Sequence, residues 1–186
     1  MQRQRIVIVV GAVVGLVIAA AVVFLVLGDG SDKDGKGTSV TTSTTRPVEI
    51  PAIDPSLVAA SGFDDPTTGE LPDVEDREAT VEHLEGPGWA LVTFRVEAGA
   101  LVAEAEVSAA ACDQIAARLE GGPAPGDLQE LAAATPDQVT ADMFANAISG
   151  TMSALDGCAS GMPDGRASLA WQFAVLDRRL EQLGIA

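Results

Sequence analysis

The chain has 186 residues, and its 27 acids against 11 bases give a formal net charge of −16. At roughly 100–200 residues per domain, that length holds one folded unit with a small appendage, and the charge excludes sequence-independent nucleic-acid binding, which needs a basic footprint. Two Trp, five Phe and no Tyr leave little for stacking bases or sugars, while 47% hydrophobic residues exclude a wholly disordered chain.

The apolar residues concentrate early. Ile6 to Leu27 is an unbroken run of 22 residues without a charge, hydroxyl or amide side chain: sixteen are Ile, Val, Leu or Phe, four Ala and two Gly. As a helix it would be about 33 Å long, matching a hydrocarbon core of about 30 Å. Each large aliphatic contributes roughly −0.3 to −0.6 kcal/mol to insertion, so the run is expected to enter the lipid bilayer. Cleavage at Ala19-Ala20-Ala21 would leave Val22 to Leu27 as a greasy new terminus, so an uncleaved signal anchor is expected rather than a removed leader. Arg3 and Arg5 precede the run and Asp29 and Asp32 come after it. The positive-inside rule therefore puts residues 1–5 in the cytoplasm, the single-pass helix over 6–27, and everything after it outside. Gly11, Gly15 and Ala19 recur every four residues and form a stripe along which two such helices can pack.

Residues 28–73 read as a flexible acidic linker. Gly28-Asp29-Gly30-Ser31 and Thr41-Thr42-Ser43-Thr44-Thr45 are polar and of low complexity, and Pro47, Pro51 and Pro55 stiffen the chain beyond them. From Asp54 to Glu85 ten acids face one base, Arg77. A solvated approach to the domain is the plain reading; a weak cation site or attraction to a basic partner are the sharper ones. The frame Gly30, Asp32, Asp34, Gly35 lacks the first and last ligands of a calcium-binding loop.

Residues 74–186 are globular in composition and are expected to form an extracytoplasmic α+β domain, a β-hairpin packed on three or four helices. A short helix should run to Glu85 and stop at Gly86-Pro87-Gly88. Trp89 to Val96 alternates, with Ala90, Val92, Phe94 and Val96 on one face, and Leu101 to Val107 alternates likewise, so these are the expected hairpin strands, with Leu101 to Val107 joining the helix that follows as the alternative. Ser108 is a good N-cap for a helix to about Glu120, with Cys112, Ile115, Ala116 and Leu119 on its inner face. A short helix comes next over Asp127 to Ala134. Thr135-Pro136 should open another, which buries Val139, Met143, Ala147, Ile148 and Leu155. The last helix, about Arg166 to Leu183, carries Leu169, Phe173, Leu176, Leu180 and Leu183 at helical spacing, a core face.

Only two cysteines occur, Cys112 and Cys158, and an even count in an oxidising compartment implies a disulfide between them. Chemistry-bearing groups are few. His83, the single histidine, stands near Glu82 and Glu85 and reads as an exposed surface residue. Glu104 and Glu106 would share one face of a strand and are the best carboxylate pair, of the kind that cleaves a glycosidic bond; an exposed hairpin edge accounts for them as well. No metal-ligating cluster or cofactor-binding motif is visible, so no metal and no cofactor is expected.

The expectation is a noncatalytic binding or scaffolding module of the cell envelope, contacting an envelope protein or a wall component and no nucleic acid. An Ala-rich, Lys-poor composition points to a bacterium. The alternatives are an envelope hydrolase using Glu104 and Glu106, and a dimeric sensor or assembly subunit joined as a homodimer along the Gly11, Gly15, Ala19 stripe.

Overall fold

The computed structural model describes residues 48–160 and 164–186. The expected membrane helix over Ile6–Leu27, its Gly11, Gly15, Ala19 stripe and the linker up to residue 47 lie outside the described residues. Among the described residues no helix is long and apolar enough to cross a membrane.

Residues 48–186 belong to one compact helical unit. In chain order it comprises α1 (Pro55–Ala60), α2 (Arg77–Glu85), α3 (Trp89–Ala98) with a 3-10 turn over Gly99–Leu101, α4 (Ala109–Glu120), α5 (Pro125–Ala133), α6 (Gln138–Ser160) and α7 (Asp164–Leu183). The two long helices α6 and α7 are joined by the three residues 161–163 and form the central hairpin. Leu169, Phe173, Leu176 and Leu180 of α7 have no exposed surface and join Phe144, Ala147, Ile148 and Ala154 of α6 in one core. Leu183 closes the stripe at 4% exposure. On α6 the buried face is shifted from the expected one: Ala147 and Ile148 are buried, whereas Val139, Met143 and Leu155 are only partly covered. α4 and α5 pack on α6, α1 packs on α7, and α3 bridges α4, α5 and α6.

The α+β expectation is overturned, because no strand occurs among the described residues. The segment expected as the first hairpin strand is α3, and the segment expected as the second passes from the 3-10 turn into irregular chain before α4. In Trp89–Ala98 every even position is apolar and Thr93, Arg95 and Glu97 stand at odd ones, which imitates a strand with one polar face, but Trp89 and Leu91 are apolar odd positions and the segment suits a helix as well. Burial instead obeys the helical period: Leu91, Val92, Phe94, Arg95 and Ala98. Arg95 is fully buried, its guanidinium 4.1 Å above the Phe173 ring and paired with Asp177 of α7 at 2.6 Å. Only a helix delivers Arg95 to α7 while keeping Leu91 and Ala98 on the same side.

The linker expectation over 28–73 also changes from residue 48 onward. Residues 48–76 form a strap with one short helix, anchored to the bundle by side chains that donate to its backbone carbonyls. Arg95 Nη2 reaches the Pro51 carbonyl at 3.5 Å, and the Trp171 indole N–H donates to Asp64 O at 2.7 Å. Arg178 donates to Pro66 O and to Gly69 O, the latter at 2.7 Å, and Arg179 donates to Pro72 O at 2.5 Å. Irregular chain has carbonyls that no helix or sheet satisfies, and a guanidinium brings five donors to them. Arg178→Ala should release the strap near residues 66–69, with a loss of about 1.5–3 kcal/mol. Limited proteolysis should then cut between Gly62 and Leu71 before the helices; equal protection of variant and parent would contradict this.

The helix ends carry their own reasons. Ser108 Oγ accepts the Ala111 amide at 3.3 Å and starts α4. α6 starts two residues later than Thr135-Pro136 would have it, because Asp137 takes the N-cap position and its carboxylate accepts the Thr140 amide at 2.7 Å. At the other end of the unit Gly184 has φ +82°, and Ile185 N donates to Leu180 O at 3.0 Å, the bond of a Schellman turn. That turn lays Ile185 back into the core at 2% exposure.

Candidate functional site

Polar chemistry inside the unit is largely committed to holding it together. Asp137 is the clearest case. One carboxylate oxygen accepts the Glu75 amide at 3.0 Å; the other accepts the Thr140 amide, the Thr140 hydroxyl at 2.5 Å and Arg179 Nη2 at 2.7 Å. Burial alone would raise its pKa, but the bonds from Thr140, Arg179 and the backbone outweigh it and hold the group at about 2. Asp177 goes the other way: burial pushes its carboxyl up against the pull of Arg95. Arg166, at the start of α7, donates to the carbonyls of Leu101, Glu104 and Ala105 and fixes the irregular segment after the 3-10 turn.

His83 is not the exposed residue its acidic neighbours imply. It is half-buried between α2 and α5, with Nε2 3.1 Å from the Leu131 carbonyl. A carbonyl only accepts, so Nε2 carries the proton. Gly88 makes room for the ring: a Cβ there would lie 2.6 Å from His83 Nε2. Gly88→Ala should therefore force the imidazole off Leu131 and destabilise by about 1–3 kcal/mol, read as a lower urea midpoint; an unchanged midpoint would refute the contact.

Cys112 of α4 and Cys158 near the end of α6 are brought to disulfide distance, with Cα atoms 6.2 Å apart. Glu104 and Glu106 share no strand: both are exposed in the irregular segment before α4 and line none of the described pockets. Among the described residues no group of His, Cys, Asp and Glu is arranged to hold a metal ion.

A largely apolar concavity of the surface lies where α3, α4, α5 and α6 meet, beside the loop Gly121–Ala124. Two cavities of about 410 and 360 Å³ abut there and share Phe94, Leu119, Pro123 and Leu128 as their floor. The first opens toward Trp89, which is 39% exposed, and carries Glu97 and Arg118; the second extends to Met152 and Leu155 of α6 and carries Glu120. Their elements explain the trough. Gly121-Gly122-Pro123 cannot continue α4, so α4 ends early and α5 starts at Pro125, leaving Leu119 and Leu128 beside a gap. Residues 121–126 stop α4, and a break in a helix also leaves its neighbours' apolar faces uncovered.

No protein-family model, curated protein or solved structure matches the chain. Its function has to be argued from the residues themselves.

Proposed function

We propose that the helical unit is a noncatalytic binding module, displayed outside the cytosol of a bacterial cell on the apolar segment Ile6–Leu27 and serving an envelope protein or wall component. The observation that carries the reading is the Cys112–Cys158 pair. These are the only cysteines of the chain, 46 positions apart, and they meet at bonding distance. Structural disulfides persist in oxidising compartments and are rare in the cytosol, which agrees with a charge-free run of 22 residues preceded by Arg3 and Arg5. The noncatalytic part rests on use: His83, Asp137, Asp177, Arg95 and Arg166 are each engaged in contacts that position helices or loops. The surface offers instead an apolar trough, the common form of a binding site.

The test is thiol labelling of the full chain in intact cells with a membrane-impermeant maleimide, alongside protease added from outside. No labelling until a reductant is added, together with digestion of the folded unit, is expected. Labelling of both cysteines without reductant and full protection from protease would overturn the proposal.

A further inference from the structure

From residue 48 onward the chain has 24 acids and six arginines. Four of those arginines, Arg95, Arg166, Arg178 and Arg179, are spent on carbonyls or carboxylates of the same unit. The fold thus turns most of its positive charge inward, and its outer surface is more acidic than the composition alone implies. The apolar trough lies in this field. Its two cavities carry one carboxylate each, Glu97 and Glu120, and Asp127 is exposed beside Leu128 at the start of α5. Arg118 is the one cation at the rim among the described residues.

We infer that the trough is a docking site for a cationic amphipathic helix of a partner protein. This deepens the binding-module reading and rests on it. Such a helix lays apolar residues at positions i, i+3, i+4 and i+7 into a hydrophobic groove. Here Trp89 marks one end, Phe94, Leu119 and Leu128 the middle, and Met152 with Leu155 the other. Lysines and arginines flanking that stripe meet Glu97, Glu120 and Asp127, and the acidic surface speeds their approach. An anionic amphiphile would gain Arg118 and face those acids, so charge favours the cationic occupant.

The test uses the full chain in non-ionic detergent and a labelled leucine–lysine peptide with its leucines at helical spacing, followed by fluorescence anisotropy. Saturable binding is expected, with a blue shift of Trp89 emission in a Trp171→Phe background. Met152 lines the trough but is not part of the buried core, so Met152→Glu should keep the melting temperature and weaken binding about tenfold. Glu97→Gln with Glu120→Gln should weaken it about fivefold and flatten its salt dependence. Equal binding of a leucine–glutamate peptide of the same spacing, equal binding of a lysine–serine peptide, or unchanged affinity in Met152→Glu would each overturn the inference. So would displacement of the peptide by dodecanoate at lower concentration, which would make the trough an acyl-chain site. If the peptide fails while the labelling test places the unit outside the cytosol, the docking inference falls and the binding-module reading stands. If labelling places it in the cytosol, that reading falls by itself.

Discussion

Asp137→Ala is expected to lower the free energy of unfolding by about 3–5 kcal/mol. Three losses coincide at one side chain. The first turn of α6 loses the acceptor for the Thr140 amide, the strap loses the acceptor for the Glu75 amide, and Arg179 is left fully buried without its carboxylate. The last dominates, because an unpaired buried cation costs far more than a missing cap. Arg179 also holds the Pro72 carbonyl and the Thr140 hydroxyl, so its displacement would loosen the strap and the start of α6 together. Urea unfolding at neutral pH, followed by far-UV circular dichroism, measures this; a loss below about 1 kcal/mol would mean that Arg179 finds water or another acceptor.

A pH series separates this carboxylate from the rest. Its pKa is lowered from 3.8 to about 2 in the folded protein. A depressed acid stabilises above its unfolded pKa, and the gain is lost as pH falls through the folded value. The stability difference between the parent and Asp137→Asn should therefore be flat above about pH 5 and shrink between about pH 4 and pH 2. Asp177 contributes with the opposite sign, since burial raises its pKa: its share is present at low pH and is lost as pH rises through the folded value. Subtracting the variant from the parent cancels that share, because both proteins carry Asp177. A difference that stays constant down to pH 2 would show that Asp137 acts through shape alone.

Legibility in the sequence depends on how local a residue's role is. The stripe Leu169, Phe173, Leu176, Leu180, Leu183 repeats at helical spacing with polar residues between, and it is the buried face of α7. Ser108 announces α4 because a cap acts within three residues. α3 is illegible for the converse reason: Ala90 to Val96 is apolar on alternate positions and on helical ones alike, and the deciding contact is Arg95 with Asp177, 82 positions away. The strap reads as linker because prolines and acids are what linkers contain. Its order comes from donors on α7, Trp171, Arg178 and Arg179, which in sequence resemble ordinary surface residues of a helix. The trough is a surface formed by four helices around a gap, and no single segment encodes a gap. The same non-locality produces the hairpin error and hides the candidate site.

Replacing both Cys112 and Cys158 by serine is expected to cost on the order of 4 kcal/mol, the chain-entropy value for a closed loop of this size, where the bonded residues stand 46 apart. For a unit of this length that corresponds to about 10 °C in melting temperature. The core contacts of α6 with α7 do not pass through the bond, so the variant should remain helical and unfold cooperatively. The second consequence concerns the trough. Cys112 lies one and two turns before Ala116 and Leu119 on α4, and Cys158 one turn after Leu155 on α6, so the bond ties together the two helices that wall the second cavity. Without it the large apolar side chains that α4 gives the core are Ile115 and Leu119, and Leu119 is only partly covered. The serine variant should therefore bind the leucine–lysine peptide more weakly than the parent, even at temperatures where the helix contents of the two are equal. Parent protein treated with a reductant should behave as the variant does. If reduction lowers the melting temperature but leaves peptide affinity intact, the bond serves stability only, and the spacing of α4 and α6 is set by packing.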